Sequence, residues 1–316
     1  MKAPDRILRF RLVCAIAAVF IILLVVTILQ ASKAWWFRME HRALIADIHG
    51  RGGEFTAAAW SIHRIWSLYP SVTLKLNGTT ADDSTLKRLH SLKSLERLEL
   101  ADAKVTDEGL ACLRHHPRLR YLRLDRTAVT DAGMKHVAGM NNLRSLYLVQ
   151  TQVTDAGVLL LRNLTRLRDL DLSGTAVTDA GLAALTNLHC LVDLELNDTP
   201  IGPAGLEHLK DLRQLKDLDL NGTNVDNGGL SVLRNLSRLE ELELSRTSVN
   251  DEGLIQLNEF HRLDELELAN TRVSDAGLEH LKRLKSLEYL DLTATLVTSR
   301  GIASLQDAFP SLVVKH

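Results

Sequence analysis

Leucines recur along most of the chain with a period of 24 residues. Ten units follow one another without insertion, and their first residues, counted as position 0, are Ser71, Leu95, Leu119, Leu143, Leu167, Leu191, Leu215, Leu239, Leu263 and Leu287. Positions 3 and 5 are leucine in all ten units, from Leu74 and Leu76 to Leu290 and Leu292. Apolar residues that alternate in this way predict a short strand with one buried face in every unit.

The second half of each unit has the pattern of a short amphipathic helix. Threonine stands at position 8, and Val or Ile at position 10, in nine of ten units. A helix N-cap residue such as Thr106 or Thr130 usually follows, and then an aspartate that complements the positive helix end. Positions 15 and 18 are apolar on one side of the helix. Glycine at position 14 in nine of ten units, Gly109 through Gly301, indicates close packing against a neighbouring backbone.

Repetition of this unit predicts an α/β solenoid. One strand, turn and helix cannot bury its own leucines, whereas stacked units bury them between neighbours in one continuous core. Neighbouring strands lie ~4.8 Å apart and packed helices ~8–10 Å apart, so the stack must curve with its strands inside. We therefore expect a parallel β-sheet on a concave face and helices on a convex face.

An apolar segment precedes the repeats. Leu12 through Leu29 is a run of 18 residues, long enough to cross a bilayer as a helix. Basic residues before it and Trp35–Phe37 after it favour a signal anchor with a cytoplasmic N-terminus. This predicts a single-pass protein with a cytoplasmic segment at 1–11, a transmembrane anchor at 12–30, a juxtamembrane segment and N-terminal cap at 31–70, and an extracytoplasmic repeat domain at 71–316. The alternative is a signal peptide that is cleaved before Trp35.

Two further segments lie beside the repeats. Within residues 31–70, Glu40–His49 has a helical pattern, Arg51–Gly53 that of a turn, and Phe55–Leu68 that of a second helix. At the other end, Leu312–His316 is in register with the strands and predicts a final strand half a unit after the tenth helix.

Composition and motifs limit the chemistry of the chain. The formal net charge of −1 gives no whole-chain attraction to nucleic acid. Three scattered cysteines, Cys14, Cys112 and Cys190, fit free thiols and neither a disulfide framework nor a metal site. No phosphate-binding loop, zinc-protease motif or nucleophile elbow occurs. We therefore expect no catalytic site, cofactor or metal.

Acidic residues accumulate on the predicted strands of the last six units. Positions 2 and 4 alternate with the leucines and so face away from the core. In these units eleven of the twelve residues at these positions are acidic, namely Asp169, Asp171, Asp193, Glu195, Asp217, Asp219, Glu241, Glu243, Glu265, Glu267 and Asp291. In the first four units the same positions are mostly basic, aromatic or polar. We expect these acidic residues, flanked by the aromatic anchors Tyr121, Tyr147 and Tyr289, to form a protein-binding surface, the other interpretation being a solvated charged face.

The repeat resembles the leucine-rich repeats of the ribonuclease-inhibitor-like and cysteine-containing subclasses in its pattern LxxLxLxxTxVTDxGLxxLxxL, as in RYLRLDRTAVTDAGMKHV. The resemblance covers residues 71–316 and is similar in particular to membrane-anchored multi-repeat proteins of bacteria. It implies a right-handed leucine-rich-repeat horseshoe and protein binding, usually on the concave face. Threonine at position 8 departs from the asparagine and cysteine variants, so the resemblance does not carry over their loop hydrogen bonding.

The sequence as a whole favours a membrane-anchored extracytoplasmic recognition module, not an enzyme, whose acidic face binds a basic protein, peptide or polyamine. The alternative is a structural surface protein whose carboxylates collect divalent cations or contact the envelope. A cytosolic adaptor similar to the repeat proteins of ubiquitin ligases is disfavoured, because residues 1–70 contain the apolar segment and no F-box.

Overall fold

The structure, a computed structural model, describes residues 35–57 and 71–316 together with Phe20, Leu24 and Ser32. The strands are β1 Glu54–Ala57, β2 Val72–Lys75, β3 Leu95–Glu99, β4 Tyr121–Arg123, β5 Ser145–Tyr147, β6 Asp169–Asp171, β7 Asp193–Glu195, β8 Asp217–Asp219, β9 Glu241–Glu243, β10 Glu265–Glu267, β11 Tyr289–Asp291 and β12 Val313–Lys315. The helices are α1 Arg42–Gly50, α2 Asp83–Arg88, α3 Asp107–Leu113, α4 Asp131–Val137, α5 Asp155–Val158, α6 Asp179–Leu182, α7 Pro203–Leu206, α8 Asn227–Leu233, α9 Asp251–Leu254, α10 Asp275–Leu281 and α11 Ser299–Ala308. Short 3₁₀ helices follow α2, α5, α6 and α9, at Leu89–Ser91, Leu159–Asn163, Ala183–Asn187 and Ile255–Glu259.

The twelve described strands form one sheet in sequence order. β1 pairs antiparallel with β2, and each later pair is parallel. The parallel register repeats every 24 residues, so Leu218 lies between Leu194 and Leu242. Leucines at positions 3 and 5 are at most 2% exposed and join the helix leucines in one core. The predicted solenoid of parallel strands and helices is confirmed.

A tight turn follows each strand of the repeats. The threonine hydroxyl at position 8 donates to the carbonyl at position 5 of its own unit, as Thr223 does to Leu220 at 2.6 Å. The residue at position 7 has a positive φ in all ten units, between 51° and 67°, although seven of these residues are not glycine. Its N–H donates to the next unit, as Arg126 does to Val149 at 2.8 Å. These bonds hold a left-handed conformation that costs an ordinary residue about 1–2 kcal/mol.

A ladder of carboxylates joins the units on the helix side. The aspartate at the first helical residue accepts hydrogen bonds from the N-cap residue of the following unit, 23 residues on. Asp131 accepts from the backbone N–H of Thr154 at 2.8 Å and from its hydroxyl at 2.7 Å. The same pair of bonds is made by Asp83, Asp107, Asp155, Asp251 and Asp275. These aspartates lie at a positive helix end as expected, but they also connect neighbouring units, which the sequence pattern did not reveal.

The helix glycines lie at the contact between units. A Cβ added at Gly133 would lie 2.4 Å from Oδ1 of Asp107 and 3.0 Å from Cδ1 of Leu110, both in the preceding unit. Gly157 and Gly277 show the same arrangement. The close packing occurs as expected, but the nearest atoms are side chains of the preceding unit and not its backbone.

The N-terminal cap differs from its prediction. α1 forms where a helix was expected, and Gly52 has a φ of 82° in the turn after it. The predicted helix from Phe55 is wrong at Phe55–Ala57, which belong to β1, and the rest of it lies outside the described residues. The ring of Phe55 lies 6.2 Å from that of Phe37. Because β1 satisfies the free backbone groups along the first edge of the sheet, the extended conformation is favoured there over a helix.

The two ends of the chain are described to different extents. Among the described residues, no helix has both the length and the apolarity that a bilayer crossing requires. Residues 1–11, and all of the predicted anchor at 12–30 except Phe20 and Leu24, lie outside the described residues. At the other end, β12 pairs in parallel with β11, and Lys315 Nζ lies 2.8 Å from Asp291 Oδ2.

Candidate functional site

The eleven carboxylates predicted as a binding surface lie on β6 to β11, and we call them the acidic strip. Their side chains alternate with buried leucines: in β7, Asp193 and Glu195 are half-buried while Leu194 between them is fully buried. Parallel pairing brings equal positions of neighbouring strands together. The strip is therefore continuous across six adjacent strands, about 24 Å from first to last at ordinary strand spacing.

The carboxylates at position 4 have partners within the fold. Asp171 accepts from the N–H of Ser173 at 2.9 Å, and Asp219 accepts from that of Asn221 at 2.8 Å. Asp291 accepts from the N–H of Thr293 and from Lys315 Nζ, at 2.9 and 2.8 Å. Three of the acidic residues therefore stabilise the turn after their own strand.

The carboxylates at position 2 are different, and we call them the outer column: Asp169, Asp193, Asp217, Glu241 and Glu265. The register pairs each with the next across β6 to β10. Asp169 accepts from the Ser145 hydroxyl at 2.5 Å. In the part of the chain that the structure describes, the other four accept no hydrogen bond and form no ion pair. Like charges in direct register on neighbouring strands are destabilising, so the outer column lacks the structural explanation that position 4 has.

A cavity of about 260 Å³ lies in the middle of the acidic strip. It is lined by Asp193, Glu195, Asp217, Leu218, Asp219, Glu241 and Glu243. All but Leu218 are carboxylic acids. The cavity suits an ammonium or guanidinium group, which carboxylate oxygens accept through charge-assisted hydrogen bonds.

Burial and mutual repulsion raise the pKa values of the strip. Burial, and then repulsion from Asp217, raises the pKa of Asp193 to about 6. Burial, and then repulsion from Glu241, raises the pKa of Asp217 to about 6. Burial is also the main cause that raises the pKa of Asp219 to about 6 and that of Glu243 to about 7. A count of acidic residues therefore overstates the negative charge of the strip below about pH 7.

Burial also raises the pKa values of two neighbouring carboxyl groups at position 4, Asp171 and Glu195. Burial raises the pKa of Glu195 well above its ordinary value, repulsion from Asp171 and Asp193 raises it further, and a hydrogen bond to Asp171 acts in the same direction. Burial likewise raises the pKa of Asp171. The two carboxylates repel each other when both are ionised, and this repulsion acts with burial in favour of the neutral form.

An aromatic and basic cluster lies at one end of the strip. The rings of Tyr121 and Tyr147 lie 5.1 Å apart on β4 and β5. The guanidinium carbon of Arg97 lies 3.4 Å from the centre of the Tyr121 ring, and that of Arg123 lies 5.7 Å from that of Tyr147. Arg97 stands at position 2 of its unit and Arg123 at position 4. The repeat pattern alone therefore predicts that both arginines lie on the same face as the tyrosines. Tyr289 lies on β11 at the other end and does not join the cluster.

A set of polar groups at position 6 was missed by sequence reasoning. Asn77 Oδ1 accepts from the N–H of Ala101 at 2.8 Å, and Asn221 Oδ1 accepts from that of Ser245 at 2.6 Å. The fully buried Asp125 accepts from the N–H of Val149 at 3.2 Å. This ladder occurs in some units only, because position 6 is also alanine or valine. Its irregularity hides it from a search for recurring residues.

No group of three or more His, Cys, Asp and Glu side chains within the described residues has an arrangement that could hold a metal ion. The described cysteines, Cys112 and Cys190, are free thiols.

Two segments of the chain, residues 91–113 and 163–185, match a family model described as Leucine Rich repeat. Each runs from the last residue of a 3₁₀ helix through the next strand and into the helical segment after it. No curated protein sequence matches the chain significantly.

Solved structures share the fold. An internalin, inlF, from Listeria monocytogenes is 20% identical with a TM-score of 0.55, over 77% of this chain and 86% of that one. The ectodomain of the membrane receptor kinase GASSHO1/SCHENGEN3 from Arabidopsis thaliana, solved in complex with CASPARIAN STRIP INTEGRITY FACTOR 2, is 19% identical with a TM-score of 0.56. The match covers 82% of this chain and 31% of that ectodomain, so the chain spans about a third of its length. At these identities the likeness concerns the fold alone.

Proposed function

Because the chain is a leucine-rich-repeat protein, we propose that it is a recognition module that binds a basic protein or peptide along the acidic strip. The strand face is the concave side of a right-handed horseshoe in this proposal. The outer column and the carboxylates around the central cavity contact the ligand, and Asp171 and Asp291 stabilise the turns after their own strands.

The observation that carries the proposal is the outer column. Asp193, Asp217, Glu241 and Glu265 lie in register on four adjacent strands without a described hydrogen-bond or ion-pair partner. A row of basic side chains at the spacing of an extended peptide supplies the missing partners. Binding of such a ligand lowers the raised pKa values of Asp193 and Asp217, because an opposite charge favours the ionised carboxylate.

Two further features support a peptide-sized ligand. The strip is about 24 Å long at ordinary strand spacing, which matches an extended segment of about seven or eight residues. Tyr121 and Tyr147 stand at one end and Tyr289 at the other, where aromatic side chains supply anchors for a bound chain. The Arabidopsis ectodomain, with the same fold, is solved with a bound partner, which supports recognition as a use of this architecture.

The proposal includes a location and excludes catalysis. Residues 12–30 anchor the protein in a membrane as a single span, with residues 1–11 in the cytoplasm and the repeats at 71–316 outside it. The module has no catalytic residues, since its polar groups repeat from unit to unit and do not converge on a reacting atom.

Calorimetric titration of the full-length chain with an octalysine peptide tests the proposal. We expect saturable binding that weakens strongly between about 20 and 200 mM salt, because screening reduces the attraction of exposed charges. An uncharged octaserine peptide is the matched control and should not bind. Absence of octalysine binding at low salt would contradict the proposal.

The same titration distinguishes a recognition module from the alternative function, a structural surface protein whose carboxylates collect divalent cations. Divalent cations that serve as resident ligands of the carboxylates should bind tightly on their own and compete with octalysine. We expect calcium at about 1 mM to act no more strongly than an equal ionic strength of sodium chloride. Stoichiometric calcium binding would favour the structural function instead.

A further inference from the structure

A basic cavity lies outside the acidic strip, at the edge where the chain enters β5 to β8. Its volume is about 600 Å³. It is lined by Arg144, Arg166, Arg168, His189, Cys190, Val192 and Gln214, and we call it the arginine pocket. None of these residues belongs to the acidic strip, so a ligand of the arginine pocket would be independent of the proposed function.

The backbone fixes two of the arginines side by side. Arg144 and Arg168 each stand directly before a strand, and the N–H of Arg168 donates to the carbonyl of Arg144 at 2.7 Å. Val192 continues the ladder, with its N–H 2.8 Å from the carbonyl of Arg168. The two arginine backbones therefore lie about 4.8 Å apart, a spacing at which like charges on neighbouring strands destabilise the sheet.

The arginines of the pocket are not neutralised by ion pairs with described residues. Arg144, Arg166 and Arg168 form no ion pair with any residue that the structure describes, and Nη1 of Arg166 donates to the neutral Oδ1 of Asn142. Lys216 stands at the position of Arg168 two units later, and its charge is neutralised by an ion pair, since its Nζ lies 2.6 Å from Glu240 Oε2. Next to Arg168, the residue at the same position of the following unit is Val192, which carries no charge. The three guanidinium groups around the cavity therefore have no carboxylate partner at this position.

We propose that the arginine pocket binds a compact, multiply charged oxyanion of the diphosphate or phosphate-ester class. Guanidinium groups present planar pairs of N–H donors that match two oxygens of a phosphate, and three such groups around one cavity suit more than one phosphate charge. His189 and Gln214 add polar groups to the wall. The volume leaves room for the organic group that carries the phosphate.

Calorimetry with inorganic pyrophosphate tests this site in the full-length chain. We expect saturable binding by the parent protein and at least about a tenfold weaker Kd for Arg144→Gln/Arg166→Gln/Arg168→Gln, because each charge-assisted pair lost removes more than a neutral hydrogen bond would. The matched control is Arg262→Gln/Arg272→Gln/Arg283→Gln, which removes the same charge from exposed arginines outside the pocket. It should bind as the parent does. Equal weakening in the two triple variants would overturn the site, as would absence of saturable binding in the parent.

Cys190 provides a second measurement that does not depend on heat signals. It is exposed and lines the pocket, whereas the other described cysteine, Cys112, is half-buried on α3. Pyrophosphate should slow alkylation of Cys190, followed by peptide mass spectrometry, in the parent and in the control but not in the pocket variant. An alkylation rate of the parent that is independent of pyrophosphate would contradict the proposal.

Phosphate groups occur both in free phosphate esters and in lipid headgroups. A vesicle flotation experiment distinguishes these two sources. Vesicles of phosphatidylcholine with phosphatidic acid are compared for the parent and the pocket variant. A larger floated fraction for the parent identifies a headgroup phosphate, because any membrane segment is common to both proteins. Equal flotation with a difference in calorimetry identifies a free phosphate ester. No difference in either measurement overturns the proposal.

Discussion

The carboxylate of Asp131 accepts two hydrogen bonds from Thr154, one from the backbone N–H at 2.8 Å and one from the hydroxyl at 2.7 Å. Thr154 also caps α5, since its hydroxyl accepts from the N–H of Ala156 at 3.4 Å. One aspartate thus fixes the start of the helix in the next unit. Repeated along the array, this contact couples the helices in the way that backbone pairing couples the strands.

Replacing Asp131 with alanine should destabilise the array by about 1–3 kcal/mol, because the N–H of Thr154 loses its acceptor at a partly buried site. Chemical denaturation followed by circular dichroism measures the change. Asp131→Asn is the matched control and should cost less, since Asn227 already accepts from the N–H of Asn250 in this chain at 3.0 Å. Equal stability of the alanine variant and the parent would show that the ladder does not couple the units.

Gly133→Ala should also destabilise the protein, by about 1–3 kcal/mol, although alanine favours helices over glycine. The new Cβ would lie 2.4 Å from Oδ1 of Asp107 and would disturb the carboxylate that holds Thr130. Gly139→Ala is the control, because its nearest atom would be the carbonyl oxygen of His136 at 3.9 Å. A thermal midpoint for Gly133→Ala at or above that of the parent would contradict the close contact.

The fold could be predicted from the sequence because the leucines at positions 3 and 5 recur without exception, and a buried strand face tolerates few alternatives. Contacts between units were harder to predict. The contact of Asp131 with Thr154 joins residues 23 positions apart, and an aspartate after an N-cap residue has a sufficient local explanation in the helix dipole. β1 was missed for a similar reason: the apolar spacing after Phe55 fits a helix, and only the open edge of β2 favours a strand.

The candidate site was predicted only as a set of residues. Alternation along the strands was enough to group the acidic residues on one face. It could not separate Asp219, which bonds the backbone of Asn221, from Asp217, which accepts no hydrogen bond from the described residues. Nor could it give the pKa values, which depend on burial between neighbouring strands. The arginine pocket was hidden because Arg144, Arg166 and Arg168 do not recur in every unit of the repeat.

Stability should fall as pH rises through the raised pKa values of the strip. Asp193 and Asp217, with pKa values of about 6, stabilise the fold most when protonated, and this contribution is lost as pH rises from their ordinary values near 4 to above about 7. Asp193→Asn/Asp217→Asn should therefore melt about 2–4 °C above the parent near pH 8 and with it near pH 3, below both pKa values of each group. Scanning calorimetry at the two pH values measures this. A variant less stable than the parent near pH 8 would contradict the repulsion in the outer column.

Binding of octalysine to a charge variant of the outer column tests the central claim most directly. Asp193→Asn/Asp217→Asn/Glu241→Gln keeps the shape of the column and removes three charges, and Glu207→Gln/Glu252→Gln/Glu279→Gln removes three charges from exposed positions in or directly after the helices. Affinities are measured by calorimetry near pH 8 and about 20 mM salt, where the column is ionised and screening is weak. We predict that the column variant loses at least about tenfold in affinity, equivalent to 1.4 kcal/mol, while the helix variant stays within about twofold of the parent. Equal affinity of the column variant and the parent would show that the acidic strip is a solvated face and not the ligand-binding surface.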